Sequence, residues 1–207
     1  MRALKLFAVP LVDHALQLQD APQRLFIVIS NPTNERNPMH HDFPEHLHHN
    51  ASDSARVEIV SARDSQGVRN ILEALPAWFG DPVAIDNYVS EAADENFTSL
   101  LAREGDDTVG VALVERHFPE SAELHLIAVS PTMRDGGIGR ALVEQVCSDL
   151  SSAGCSYLTV HTVGPSYEDH NYAQTRAFYR RLGFMPLEEH RGLDWPGPTL
   201  ILVRPLT

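Results

Sequence analysis

One segment near the middle of the chain constrains its fold most. Residues 122–130 have the composition of a strand, and the glycines Gly136, Gly137 and Gly139 follow in a turn. Apolar residues then recur every four positions from Ile138 to Leu150, which predicts an amphipathic helix of about four turns. A second strand is predicted at 157–163. Such a unit places its two strands side by side and parallel, with the helix packed against one face of the sheet.

The elements around this unit predict an α/β fold with a mixed central sheet and helices on both faces. Further strands are predicted at 57–61, 97–103, 109–115 and 200–203, and further helices at 65–75, 82–93 and 173–182. Asp64 is a candidate N-cap for the first helix, and Pro82 begins the second. The predicted order is strand, helix, helix, three strands, helix, strand, helix, strand.

The first 55 residues differ in composition from the remainder. Residues 31–54 are rich in Asn, Pro and His and show no helix or strand periodicity, which indicates a linker, while 25–29 is a short apolar run. We therefore expect an N-terminal extension over 1–55 and a folded domain over 56–207. The extension contains a histidine cluster that we expect to be a solvated loop and not a metal site, composed of His40, His41, His46, His48 and His49.

The charge balance excludes several classes of partner. The chain has 16 Lys+Arg against 28 Asp+Glu, a formal net charge of −12. A field of this sign disfavours nucleic acid and anionic membranes and attracts cationic ligands. Since no apolar segment approaches a membrane span and no leader peptide is evident, we expect a cytoplasmic protein. Cys147 and Cys155 are expected to be structural, without a disulfide or metal role.

The glycine turn has the properties of an anion site. Glycines let the backbone approach a ligand closely, and the free N–H groups of a helix N-terminus favour a phosphate. Gly139 is followed by Arg140 and Ala141, which excludes the Lys-Ser/Thr pair of a P-loop, and Leu142 stands where a dinucleotide fingerprint has glycine. The turn alone leaves two readings open: a ligand site or only a tight turn.

Two sequence blocks resemble the GNAT acetyltransferase family. Arg-Asp-Gly-Gly-Ile-Gly at 134–139 resembles the family's Q/R-x-x-G-x-G/A signature, and Ala-Phe-Tyr-Arg-Arg-Leu-Gly-Phe at 177–184 resembles its later F-Y-x-x-x-G-F helix. The blocks occur in the family's order, and the likeness extends from Arg56 to the end of the chain. It implies the GNAT fold and an acetyltransferase that uses acetyl-CoA as co-substrate, with no metal.

The resemblance also implies which residues bind the donor. The backbone of Ala128 and Val129 would pair with the pantetheine arm like an added strand. The residues of the turn would hold the pyrophosphate through their N–H groups and through local positive charge: Arg134, Asp135, Gly136, Gly137, Ile138, Gly139 and Arg140.

For catalysis the resemblance implies a base and an acid. Glu123, six residues before Val129, is the candidate base, and Tyr179 is the candidate acid that protonates the departing thiolate. His125 on the same strand face and His161 on the neighbouring strand are alternative bases. A plain solvated strand face is the other reading of Glu123 and His125. We expect Tyr179 to point toward the cleft, away from a core stripe formed by its helix neighbours Phe178 and Leu182.

The expected reaction is transfer of an acetyl group to a primary amine of a small molecule or peptide. The alternative is a non-catalytic GNAT-fold module that binds or senses an acyl-CoA or an amine. A longer acyl donor and a homodimer are also compatible with the sequence. Aromatic and histidine residues of the first helices and later loops are candidates to line the acceptor pocket: Trp78, Phe79, Tyr88, Tyr167 and His170.

Overall fold

The computed structural model describes residues 57–133 and 136–206. The predictions for the extension over 1–55, including its histidine cluster, lie outside the described residues. So do the predicted phosphate-binding roles of Arg134 and Asp135.

Seven strands and four helices form the described domain. The strands are β1 (Glu58–Ser61), β2 (Phe97–Glu104), β3 (Asp107–Phe118), β4 (Ser121–Val129), β5 (Tyr157–Val163), β6 (Met185–Arg191) and β7 (Pro198–Pro205). The helices are α1 (Ser65–Glu73), α2 (Pro82–Ala93), α3 (Ile138–Ser152) and α4 (His170–Arg181). Every element predicted between residues 57 and 206 is present, and most of their ends differ by a few residues from the prediction.

All seven strands belong to one mixed sheet with the order β1-β2-β3-β4-β5-β7-β6. β4 and β5 are parallel, as the strand–helix–strand unit predicts, and all the other neighbouring pairs are antiparallel. The predicted mixed α/β fold is confirmed.

Apolar side chains bury both faces of this sheet. On one face, helix α3 packs Ile138, Leu142 and Val146 against strand residues such as Ile127 and Val129. We call this cluster the α3 core. On the other face, helices α1 and α2 pack residues such as Leu72 against Leu126 and Ala128. We call this cluster the α1/α2 core. Helices therefore cover both faces of the sheet. No helix in the described part of the chain is long and apolar enough to cross a membrane.

Strand β6 is absent from the prediction. Its sequence, Met-Pro-Leu-Glu-Glu-His-Arg, contains a proline and four polar or charged side chains, and it shows no apolar alternation. It lies at the edge of the sheet, pairs only with β7 and is exposed along most of its length. Edge strands commonly carry proline and charge because these residues discourage pairing with another chain. Such strands therefore lack the apolar alternation by which a strand is predicted from sequence.

Candidate active site

The two parallel strands at the centre of the sheet separate after a short paired region. β4 and β5 pair only over three positions, from Ser121 opposite Tyr157 to Glu123 opposite Thr159. β5 continues to Val163 paired with β7, whereas among the described residues no strand pairs with this side of β4 beyond Glu123. An opening therefore forms between the carboxyl ends of β4 and β5.

The exposed backbone of β4 lines this opening. The Ser130 N–H donates to the Val109 carbonyl of β3 at 2.8 Å. Because successive residues of a strand turn their polar backbone groups to opposite sides, Ala128 faces β3, where it pairs with Val111. The N–H and carbonyl of Val129 then face the opening. Of the two predicted pantetheine partners, Val129 is the one whose polar groups are turned toward the gap.

The start of α3 lies just beyond the end of β4 and has no side-chain cap. Helices α1, α2 and α4 each begin with an aspartate whose side chain accepts a backbone N–H. α3 begins instead at Gly137, which has a positive φ of 78° and no side-chain cap. The first intrahelical bond runs from Ala141 N–H to the Gly137 carbonyl at 2.9 Å. Among the residues that the structure describes, none accepts from the backbone N–H of Ile138, Gly139 or Arg140, so these groups are candidates to bind an anion.

A glycine on β3 fixes how closely α3 approaches the sheet. A Cβ at Gly110 would lie 3.1 Å from the Ile138 side chain and 3.2 Å from that of Leu142. The absence of a side chain lets the first turn of α3 rest against β3. The sequence signal for this contact is a lone glycine within an apolar strand, which we did not single out.

Glu123 is the centre of a buried polar cluster. It is only 4% exposed, and its Oε2 lies 3.0 Å from His117 Nε2. Its Oε1 lies 3.7 Å from His125 Nδ1. Glu123 and His125 share a strand face, as predicted, but both are buried, so the solvated-face reading is wrong.

Both histidines stand at irregularities of the β3–β4 ladder. The pairing moves from Leu113–Leu126 to Val114–Leu124, which leaves His125 as an extra residue in β4. It moves again between Arg116 and Phe118, which leaves His117 as an extra residue in β3. Bulges of this kind redirect side chains, and here they bring an imidazole to each side of Glu123. Nothing in the sequence indicates these bulges.

The cluster has strongly shifted pKa values. Burial raises the pKa of Glu123, but interactions with His125, His161 and His117 outweigh burial and lower this pKa to about 2. Burial lowers the pKa of His125, but interactions with Glu123 and Glu91 outweigh it and raise this pKa to about 9. At neutral pH the carboxylate and the imidazole are therefore both charged.

Helix α2 supplies the second carboxylate of this cluster. Glu91 Oε2 lies 2.8 Å from His125 Nε2. The His125 ring is fully buried and also contacts the rings of Tyr88 and Phe97. Sequence reasoning missed Glu91, because its spacing on α2 does not show that it reaches β4.

A second carboxylate–histidine pair lies on β5. His161 Nδ1 is 3.0 Å from Asp194 Oδ2, and the Asp194 side chain is largely buried. Asp194 lies in the β6–β7 loop, where the neighbouring Trp195 packs on the α1/α2 core. Sequence reasoning missed Asp194 because β6 and its loop were not predicted.

Tyr179 occupies the core itself. Its side chain is fully buried, and its ring contacts the rings of Phe178 and Phe184. The buried residues of α4 are Tyr172, Thr175 and Tyr179, whereas Phe178 is only partly buried, so the expectation that Tyr179 points away from the core is wrong. The helix turns Tyr179 inward because its position lies seven residues after Tyr172.

The Tyr179 hydroxyl is buried without a hydrogen-bond partner in the described part of the chain. Burial raises its pKa, and an electrostatic interaction with Tyr88 of α2 raises it further. Tyr179 belongs to the α3 core and Tyr88 to the α1/α2 core. The Tyr179 phenol is therefore within electrostatic range of Tyr88, whose ring contacts His125.

The predicted acceptor-pocket residues do not form one group. Phe79 and Tyr88 are buried and pack edge to face with ring centroids 5.8 Å apart, which makes them core residues. Tyr167 is exposed and packs on Trp195. His170 is exposed and shares a 2.8 Å hydrogen bond with Gln174.

The sequence model of the acetyltransferase (GNAT) domain matches residues 95–186, which include β4, the glycine turn, α3, β5 and α4. Over these residues the chain is a GNAT acetyltransferase domain. The resemblance found in the two sequence blocks is confirmed. Among curated proteins, none matches the chain significantly.

Solved GNAT structures share the fold of this domain. A GNAT-family protein from Desulfovibrio desulfuricans is 24% identical over 73% of this chain and 100% of its own, with a TM-score of 0.66. The ribosomal-protein-S18-alanine N-acetyltransferase from Escherichia coli is 21% identical over 73% and 95%, with a TM-score of 0.60. A GNAT family acetyltransferase from Elizabethkingia anophelis with acetyl-CoA bound is 16% identical over 75% and 100%, with a TM-score of 0.56.

Proposed function

We propose that this protein transfers an acetyl group from acetyl-CoA to a primary amine of a small molecule or peptide. The observation that carries the proposal is the buried, ionised Glu123 beside the opening between β4 and β5, in a domain of the GNAT family. Burying a carboxylate is costly, and a charged group kept in such a place suits a site that handles protons.

Donor binding uses the backbone at the end of β4 and the start of α3. The polar groups of Val129 would pair with the pantetheine arm, and the N–H groups of Ile138, Gly139 and Arg140 would hold the pyrophosphate. The exposed Arg140 side chain adds positive charge at this end of an acidic protein. The Elizabethkingia neighbour, which has acetyl-CoA bound, supports this choice of donor.

The chemistry requires a neutral amine, a carbonyl open to attack and a proton for the sulfur. The amine nitrogen forms a bond to the acetyl carbon, and the carbon–sulfur bond breaks. Glu123 accepts a proton from the amine, directly or through a water molecule. Tyr179, whose raised pKa keeps its phenol protonated, donates a proton to the thiolate and is reprotonated by the other proton that the nitrogen loses. His125 serves to hold the charge of Glu123, because its own raised pKa makes it a poor proton acceptor near neutral pH.

An amine acceptor also agrees with the charge of the site. Each histidine around Glu123 also lies near a further carboxylate, which is Glu91 for His125, Glu115 for His117 and Asp194 for His161. The Escherichia coli neighbour is named for an alanine of a ribosomal protein, which supports keeping peptide amines among the candidates.

The first test is thermal unfolding of the full chain with acetyl-CoA, with CoA, ATP and NAD as comparison ligands. A ligand at 100 times its Kd adds roughly 2.7 kcal/mol to the unfolding free energy and raises the Tm by several degrees. We expect stabilisation by acetyl-CoA and not by NAD. A screen of amines for release of the CoA thiol then identifies the acceptor.

The two parts of this test separate the enzyme from a binding module. Stabilisation by acetyl-CoA together with amine-dependent thiol release supports the acetyltransferase. Stabilisation without turnover on any class of amine would favour the module that only binds or senses an acyl-CoA. An unchanged Tm at millimolar acetyl-CoA would contradict the donor site.

A further inference from the structure

The reaction proposed above requires that a proton leave the site in every turnover. An aliphatic amine arrives mostly as an ammonium, because its pKa lies near 10. It loses two protons on becoming an amide, and the thiolate takes up one. The other must travel from the buried site to water. This inference rests on the proposed function and concerns the route of that proton.

Glu123 cannot be the last acceptor on this route. Its carboxylate is only 4% exposed, so it has little direct access to water. A carboxylate held in its charged form by neighbouring histidines also binds a proton weakly and must pass it on quickly. The next group has to lie within hydrogen-bond distance of Glu123 and to reach the surface.

Three histidines surround Glu123, and they differ in exposure. His125 is fully buried, and it lies between Glu91 and Glu123, which hold its charge. The His161 side chain is 17% exposed, and its Nδ1 is occupied by Asp194. The His117 side chain is 37% exposed, and its Nε2 lies 3.0 Å from Glu123 Oε2. His117 alone among the three combines a short contact to Glu123 with substantial exposure.

His117 lies between two carboxylates of the β3–β4 ladder. Glu115 and Glu123 lie directly opposite each other on β3 and β4, and two facing carboxylates repel. His117 lies between them, with Nδ1 3.9 Å from Glu115 Oε1 on one side and Nε2 beside Glu123 on the other. The bulge in β3 at His117 gives the ring this orientation.

We propose that His117 carries the proton from Glu123 to water. Glu123 takes a proton from the ammonium, and its Oε2 passes that proton to His117 Nε2. His117 then releases its Nδ1 proton to solvent, and proton exchange of this exposed ring with water restores the neutral tautomer whose Nε2 accepts the next proton. His117 acts through Glu123 and does not touch the acceptor, so it is a positioning and proton-transfer residue.

The test compares His117→Gln with a matched control in the full chain. His190→Gln is the control, because His190 is also an exposed strand histidine paired with a carboxylate, 3.1 Å from Glu188 on β6. We expect His117→Gln to lower kcat by about 10-fold to 100-fold in a weak buffer, with little change in the KM for either substrate. Added imidazole should restore kcat, because a free imidazole can accept the proton at the surface. The control variant should keep wild-type kcat and should not respond to imidazole.

Two results would show that His117 does not carry the proton. If His117→Gln has the kcat of the control, or loses activity that imidazole does not restore while its Tm is unchanged, the relay is wrong. If the variant unfolds at a lower temperature, His117→Asn provides a shorter side chain, and rescue by imidazole is scored on that variant by the same criterion. A wild-type chain that transfers no acetyl group to any amine would overturn the proposed function itself.

Discussion

Individual side chains in this domain take their roles from neighbours that are distant in sequence. Glu123 is separated by 32 positions from Glu91, yet the two carboxylates flank the same buried imidazole. The strand register predicts that Glu123 and His125 share a face, but it does not predict that α2 supplies a third charged group. The charge of His125 therefore follows from tertiary contacts and not from its position on β4.

Tyr179 gives a test at this scale in which stability and turnover respond differently. Its hydroxyl is buried and unpartnered, so Tyr179→Phe removes a polar group that costs free energy to bury. We expect an unfolding free energy that is unchanged or higher by up to about 1 kcal/mol. Turnover should fall by about 100-fold, because the thiolate loses its proton donor, while acetyl-CoA affinity stays nearly constant.

Thermal unfolding, steady-state kinetics and calorimetric titration measure these three quantities. Tyr157→Phe, at an exposed tyrosine of β5, is the matched control and should change none of them. Wild-type turnover in Tyr179→Phe would rule out the phenol as the acid.

At the scale of elements, two glycines at the ends of α3 allow the stability cost of backbone strain to be measured apart from the effect on ligand binding. Gly137 and Gly154 both have φ of 78°, and a Cβ at either would meet no atom within 4 Å among the described contacts. Each glycine-to-alanine change should cost about 1 to 2 kcal/mol of stability, since both place an L-residue in the left-handed region. Only Gly137→Ala should also weaken acetyl-CoA binding, by about 10-fold or more, because a Cβ there stands beside the phosphate site.

Denaturant unfolding and calorimetry of the two variants provide the comparison. Equal acetyl-CoA affinity in both variants would show that the turn is only a tight connection.

The elements also show where sequence information is sufficient and where it is not. α2 and β5 begin and end at the predicted residues, because Pro82 favours a helix start and Gly164-Pro165 follows directly after Val163. β6 could not be predicted, since an exposed edge strand needs no apolar pattern. The bulges at His117 and His125 could not be predicted either, because they arise from how β3 and β4 pair and not from either strand alone.

For the whole molecule, the buried cluster links global stability to pH. The pKa of Glu123 is lowered from 4.5 to about 2 by folding, so its contribution is present above pH 4.5 and is lost as the pH falls toward 2. The pKa of His125 is raised from 6.5 to about 9, so its contribution is present below pH 6.5 and is lost as the pH rises toward 9. From these two groups, we expect maximum stability between pH 4.5 and 6.5.

The alkaline side of this profile can be assigned to one residue. The unfolding free energy of the wild type, measured by denaturant titration, should decrease from pH 6.5 to 9, because the unfolded chain releases the His125 proton at lower pH than the native state does. His125→Gln should lower stability throughout and remove most of that decrease, since glutamine does not titrate. His190→Gln, at an exposed histidine, should keep the wild-type slope. A His125→Gln slope equal to that of the wild type would mean that the buried imidazole is neutral in the native protein, and the charge assigned to the Glu91–His125–Glu123 cluster would be wrong.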